Sequence, residues 1–214
     1  MATNTFYRNR LPHWTPVGAT FFVTFRTQDS LPGEVLLMLH KRLEEIKHQL
    51  LHENHEERKR LLYLEQKRLF GRFDAMLDNL PQGRCVLKLP GIAAILKERI
   101  ESMHGQWYDL HAYTIMPNHV HILIDLSCQL REETLERPYI QLDRIMQHIK
   151  GGSSRFINLE LGEKGRFWAK DSYDHWVRDE QEWERIHQYI LNNPVKAGLV
   201  ADWKSWPYSH SCRP

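Results

Sequence analysis

Over residues 19–27, Phe21, Val23 and Phe25 alternate with Thr24 and Arg26. A period of two puts the apolar side chains on one face, the pattern of a half-buried strand. From 34 to about 78 the spacing changes, with Leu36, Leu39, Leu43, Ile46 and Leu50 three and four apart, then a polar run over 52–60 and more leucines. This predicts one or two long helices. Too few clean heptads are present for a coiled-coil arm, so an antiparallel helical pair packed on the domain is the expectation. Pro90 suits the first turn of a helix whose buried stripe is Ile92, Ile95, Leu96 and Ile100. Apolar strands over 107–116 and 120–126 flank Pro117-Asn118, a turn-forming pair, and predict an antiparallel hairpin. A helix over about 139–161 follows, then strand-like pieces at 166–168 and 173–177. A last helix covers about 179–193, with Pro194 expected to end it. In order, these elements predict an α+β fold, a ferredoxin-like antiparallel sheet flanked by helices with an extra C-terminal helix. The expected organisation is one domain over 1–214 with a helical insertion at about 34–84.

Composition narrows the class. An apolar share of 42% supplies a core, while a mean hydropathy of −0.56 indicates a soluble surface. No apolar run approaches the ~20 residues of a spanning helix, and the first ten residues lack the apolar run of a signal peptide, so a cytoplasmic protein with no membrane partner is expected. Cys85, Cys128 and Cys212 are widely spaced and form neither a metal pair nor a disulfide framework. A net charge of +2 permits a nucleic-acid partner without requiring one.

Two places carry candidate chemistry. His119 and His121 flank Val120, and in a strand both imidazoles point to the same side of the sheet, where they can share one metal ion. The alternative is a hydrogen-bonded surface pair, but the greasy strand around them gives imidazoles little other reason to be there. In the last helix Tyr189 and Asn193 are four apart and lie on one face, with Tyr189 at the edge of the Trp183, Ile186, Ile190 stripe. Such a tyrosine ordinarily packs with its hydroxyl in water.

The motifs Tyr113-Thr114-Ile115-Met116-Pro117-Asn118-His119-Val120-His121-Ile122-Leu123 and Tyr189-Ile190-Leu191-Asn192-Asn193-Pro194-Val195-Lys196-Ala197-Gly198 resemble the single-tyrosine HUH transposases, specifically the REP-associated tyrosine transposase branch. Leu11-Pro12-His13-Trp14, Gln147-His148-Ile149-Lys150-Gly151, Phe167-Trp168, Tyr173-Asp174-His175 and Trp206-Pro207-Tyr208-Ser209 extend the resemblance over nearly the whole chain except about 40–84. It implies that His119 and His121 bind a metal, that Asn193 completes the metal site and that Tyr189 is the nucleophile. It also implies a single-stranded hairpin DNA partner, a 5′-phosphotyrosine intermediate, Mg²⁺ or Mn²⁺ as cofactor, and action as a monomer or homodimer. Gly151-Gly152-Ser153-Ser154 departs from the family pattern, and the 40–84 segment is long.

Chemistry accords with these roles. A free tyrosine, with a pKa near ~10, is a poor nucleophile unless a base or cation assists it, and phenolate is a good leaving group, which suits reversible strand transfer. Imidazole and amide ligands suit Mg²⁺ less well than carboxylates, so Mn²⁺ is expected to work at least as well. Lys150, Arg155 and Arg166 are candidates for phosphate contact, and Trp14 and Trp168 for base stacking, with core packing the alternative for both tryptophans. Two other functions compete: a catalytically silent DNA-binding protein of the same fold, and a metal phosphodiesterase that uses water.

Overall fold

The computed structural model describes residues 5–8, 12–52, 54–79, 83–134 and 136–213. Among these, β1 (Thr5–Arg8) and β2 (Pro12–Thr15) form a small antiparallel ribbon. The main sheet is built from β3 (Thr20–Arg26), β4 (Asp109–Ile115), β5 (His119–Asp125), β6 (Tyr173–Trp176) and β7 (Ser209–Ser211). Its order is β6-β3-β5-β4-β7, antiparallel throughout. The helices are α1 (Gly33–Gln49), α2 (His55–Asn79), α3 (Pro90–Glu101), α4 (Leu142–Leu161) and α5 (Glu180–Lys196). Taken as β3-α3-β4-β5-α4-β6, the chain traces the split βαβ path of a ferredoxin-like sheet, with α1 and α2 inserted after β3, α5 added after β6, and β7 as a fifth strand.

Alternation assigns the two faces of the sheet. Phe21, Val23, Phe25, Val120, Ile122 and Ile124 pack with Ile92, Leu96 and Ile100 of α3 and Ile145, Ile149 and Ile157 of α4. Phe22, Leu123 and Ala112 pack with Trp183 and Ile190 of α5 and with Phe70 of α2. Covering both faces explains why β5 reads as an apolar run, and it leaves His119 and His121 fully buried on the α5 face.

Three boundaries differ from the sequence expectation. Helix α4 begins at Leu142 because Gln141 is extended (φ −69°, ψ 155°). The 166–168 piece makes only an isolated bridge, Thr27 to Trp168. Pro194 does not end α5; it lies inside the helix, which runs on to Lys196. A proline in the last turn removes one hydrogen bond without stopping the helix. The stop comes at Gly198, whose φ of 69° is left-handed. There the Leu199 N–H donates to Pro194 O (2.9 Å) and the Gly198 N–H to Val195 O (2.9 Å), a Schellman closure.

Trp168 is 4% exposed, with its ring centroid 4.9 Å from that of Phe25. Its Nε1–H donates to Ser153 Oγ (3.0 Å), which in turn donates to Ile149 O (2.6 Å). Trp168→Ala is therefore expected to lower the unfolding free energy by about 3–5 kcal/mol in denaturant titration. A change under about 1 kcal/mol would show that the indole is dispensable to the core.

Candidate metal and nucleophile site

Strand pairing fixes the two histidines. Thr24 lies opposite His121 in the β3–β5 ladder, and its Oγ1 is 2.7 Å from His121 Nδ1. His119 Nδ1–H donates to Asn118 Oδ1 (2.7 Å), and Asn118 Nδ2 donates in turn to Leu77 O of α2 (3.2 Å). With its proton on Nδ1, His119 presents a bare Nε2, only 3.1 Å from His121 Nε2. Burial, helped by Lys196, lowers the His119 pKa to about 3; burial, then His119 and Lys196, hold His121 well below its ordinary value. Both rings are neutral at physiological pH, the form that ligates metal. Thr24 can donate or accept, so His121 can carry its proton on Nδ1 and free Nε2 for an ion.

Helix α5 brings Tyr189 and Asn193 to the same point. Asp179 caps it by accepting from the Glu182 N–H (2.7 Å), and Trp183 and Ile190 seat it on the sheet. The half-buried Tyr189 ring meets Phe22 edge-on at 5.9 Å, and its centroid lies 5.6 Å from that of His121. Its hydroxyl is not in water but donates to Asp74 Oδ2. Asn193 Nδ2 donates to His121 Nε2 (3.2 Å), while Asn193 Oδ1 is buried without a hydrogen bond.

The partner of Tyr189 comes from α2, in the insertion. Asp74 and Asp78 are four apart, hence on one helix face. Asp74 Oδ1 is 3.3 Å from His121 Nε2, Asp78 Oδ1 is 3.9 Å from His119 Nε2, and neither oxygen has a hydrogen bond. Lys196 Nζ donates to Asp78 Oδ2 (3.1 Å). Burial, then the neighbouring Asp78, raise the Asp74 pKa to about 7 against the pull of Lys196; burial raises Asp78 as well, again opposed by Lys196.

Asp74, His119 and His121 offer ligand atoms within 4.8 Å of one another. Two ligands at right angles, each about 2.1 Å from an ion, lie about 3 Å apart. The 3.1 Å between the Nε2 atoms and the 3.3 Å to Asp74 Oδ1 approach that separation. Turning the Asn193 amide over adds an oxygen in place of Nδ2. The residues present thus fit a divalent ion. Sequence reasoning missed both aspartates; the available signal was a pair of acids at helical spacing, Asp74 and Asp78, set beside Phe70 and Leu77 of a core-facing helix.

Comparison with known proteins bears on the same residues. Residues 91–193 match the family described as Transposase IS200 like. This segment is similar to the IS200-like transposases. It contains His119, His121, Tyr189 and Asn193, while Asp74 and Asp78 lie outside it. A Haemophilus influenzae protein provisionally named a REP-associated tyrosine transposase is 28% identical over 102 residues, 48% of this chain and 58% of that protein. An uncharacterised protein of the same organism is 30% identical over 97 residues, 39% of this chain and 52% of its own length. The match thus spans little more than half of either relative. A solved REP-associated tyrosine transposase bound to a REP hairpin aligns over 95% of this chain and 80% of its own, with a TM-score of 0.46 and 17% identity.

The remaining candidates of this transposase segment and its flanks lie apart from the His119–Tyr189 cluster. Lys150 Nζ donates to Lys170 O (3.1 Å) and Ser172 Oγ (3.0 Å), and burial lowers its pKa to about 8. Arg155 and Arg166 are exposed; Arg166 lines a polar cavity with Arg84, Lys164 and Asn158. Trp168 turns its ring into the core. Trp14 pairs through its backbone with Phe6, and its side chain lies outside the described residues. His175 Nε2 is 3.1 Å from Glu182 Oε1, which also meets Tyr63 and Lys67 of α2. In the described conformation, then, the structure groups Tyr189, Asn193 and the histidines, but not the DNA-contact candidates.

Asp74 also makes a pH signature. An unfolded Asp titrates near ~3.9, and folded Asp74 near about 7. Between these values the folded state holds the extra proton, so its contribution to stability is present below ~3.9 and lost as pH rises through 7. The neutral histidines slope the opposite way in wild type and variant alike. In chelator-treated protein, the stability of Asp74→Asn relative to wild type should therefore rise between pH 4 and 7, by at most about 1.4 kcal/mol per unit, and level off above. Parallel stability curves would show that Asp74 is ionised throughout.

Proposed function

We propose that this protein is a metal-dependent endonuclease and strand transferase that acts on hairpin-forming single-stranded DNA through a covalent 5′-phosphotyrosine at Tyr189. The observation that carries this reading is convergence: a tyrosine hydroxyl, two neutral imidazoles, an amide and a carboxylate meet at one buried point. Four of these five groups lie in the segment that matches the IS200-like transposase family. The name of the Haemophilus influenzae relative, a REP-associated tyrosine transposase, supports tyrosine chemistry on DNA, and the sequence resemblance supports the hairpin substrate.

In this reaction the Tyr189 oxygen attacks the scissile phosphorus and forms an O–P bond. The P–O3′ bond breaks, and the 3′-oxygen leaves with the bonding electron pair and takes a proton from solvent water to become the 3′-hydroxyl. The phenolic proton passes to Asp74 Oδ2, which already accepts the hydroxyl's hydrogen bond. His119, His121 and Asn193, with Asp74, would hold Mg²⁺ or Mn²⁺. When bound, the ion supplies charge that polarises the phosphoryl group and offsets charge developing on its oxygens. Phe22 and the sheet beneath hold the Tyr189 ring and its hydroxyl in place. Attack by an incoming 3′-hydroxyl reverses the sequence, re-forming a phosphodiester and releasing the tyrosine.

Tyr189→Phe is expected to abolish both cleavage and the shifted protein–DNA adduct on a denaturing gel, with a hairpin oligonucleotide and Mn²⁺. It also leaves the buried Asp74 Oδ2 without its donor, so metal-free stability should fall by about 1–3 kcal/mol. A Phe variant that cuts at the wild-type rate would make water the nucleophile.

Substrate form gives a second test. The same sequence annealed as a perfect duplex should be cut far more slowly than the hairpin, and binding should weaken as salt is added. Equal rates on both forms would indicate an ordinary duplex nuclease.

A further inference from the structure

We infer that helix α2 of the insertion supplies two ligands, Asp74 and Asp78, to the ion held by His119, His121 and Asn193, so that the ion fastens α2 over the nucleophile and Asp74 positions Tyr189. The inference rests on the metal reading above, which already includes Asp74, and extends it to Asp78 and to the seating of α2, a helix outside the segment matched by the transposase family.

Two carboxylate oxygens at this point, Asp74 Oδ1 and Asp78 Oδ1, are buried without hydrogen bonds, and so is Asn193 Oδ1, on the amide whose Nδ2 faces His121. Buried polar atoms are seldom left so, least of all on carboxylates. The Asp74 and Asp78 side chains are only 2% and 3% exposed, so water does not compensate. In each carboxylate the other oxygen is spoken for, Asp74 Oδ2 by Tyr189 and Asp78 Oδ2 by Lys196, which orients the free oxygen toward the imidazoles. A divalent cation held by Asp74 Oδ1 and both bare Nε2 atoms would also give a partner to Asp78 Oδ1, 3.9 Å from His119 Nε2, and to the Asn193 amide oxygen once the amide is turned over.

The chemistry of the set points the same way. Two imidazoles and an amide alone make a soft, weakly charged site for Mg²⁺ or Mn²⁺, whereas two carboxylates add the hard, anionic oxygens these ions prefer. Asp74 would touch the ion through one oxygen and the Tyr189 hydroxyl through the other, setting the distance between nucleophile and phosphorus. Asp74, which accepts the phenolic proton, thereby also fixes where the Tyr189 hydroxyl lies.

The remaining contacts of α2 show that it is seated without the ion. Phe70 stacks on Tyr173 at 3.8 Å and meets Phe22 edge-on at 5.5 Å, and Tyr63 and Lys67 reach Glu182. The ion therefore adds a clamp at the Asp74–Asp78 end of a helix that already packs on the sheet.

The test uses the whole protein and Mn²⁺ alone, read by calorimetric titration, by thermal unfolding and by amide hydrogen exchange along α2. Wild type should bind Mn²⁺, unfold at higher temperature with it, and exchange α2 amides more slowly in its presence. Asp74→Asn and Asp78→Asn should each weaken Mn²⁺ binding tenfold or more and lose most of the ion-induced slowing on α2. Metal-free, neither variant should unfold earlier than wild type, since each removes a buried charge. A purely structural role predicts the reverse, lower metal-free melting with unchanged Mn²⁺ affinity, and that result would overturn the inference. His119→Ala/His121→Ala separates the two readings. If this variant loses Mn²⁺ while both Asn variants keep wild-type affinity and α2 protection, the histidine site stands and the role given to α2 falls. If wild type binds no Mn²⁺, both fall.

Discussion

Two neutral imidazoles face each other across 3.1 Å inside the protein, with the Asn193 amide against one of them and two nearby carboxylate oxygens left without hydrogen bonds. Concentrating lone pairs away from water costs free energy, several kcal/mol where an ionised carboxylate is involved. Lys196 offsets one of the two acidic charges, and the raised pKa of Asp74 offsets the other by protonation. Such an arrangement persists only where its surroundings leave it no alternative. Here Thr24 and Asn118 hold the rings from behind, β3 and β4 hold β5 on both edges, and Phe22 closes the floor.

Helix α5 meets that constraint at both ends. The Asp179 cap and the Trp183 and Ile190 contacts set its axial position, which places Tyr189 and Asn193 one turn apart above His121. Its last turn matters as much. Because the helix passes through Pro194 and closes at Gly198, Lys196 is still helical and reaches Asp78 of α2. A helix that ended at Asn193 would have left that carboxylate without its cation. The tolerated proline and the left-handed glycine are thus part of the electrostatics of the site as well as of the backbone.

What the sequence disclosed and what it withheld divide along the range of the interactions. The alternation of β3 and β5, the stripe of α3 and the facing of His119 and His121 are local periodicities, and the structure follows them closely. The one-turn relation of Tyr189 to Asn193 is local too. Asp74 reaches Tyr189 across 115 positions of chain, and no window of sequence contains both. Within its own helix Asp74 is a lone acid among Phe73, Ala75, Met76 and Leu77, and helical periodicity alone does not say which residue it faces. The short strands β1, β2 and β7 escaped for a different reason. Ser209, His210 and Ser211 carry no apolar alternation and are strand only because β4 offers them an edge. Trp168 shows the converse: an aromatic placed for its chemistry as a stacking platform is, in this conformation, held by Ser153 and Phe25 inside the core.

The division between segments also bears on how the site can be controlled. His119, His121, Tyr189 and Asn193 stand on the sheet and on the helix packed against it, whereas Asp74 and Asp78 stand on a helix that enters from the insertion. If those carboxylates complete the ion site, ion binding and the docking of α2 are two faces of one coupling free energy. Linkage then makes the effect reciprocal: the factor by which docking of α2 tightens the ion equals the factor by which the ion favours docking. Loosening Phe70 or the Glu182 contacts, which lie beyond the ion, would weaken its binding without touching a ligand. A nucleophile whose hydroxyl is bonded to that same helix would be positioned and released together with it. An insertion outside the transposase segment would then set how readily the tyrosine is made available.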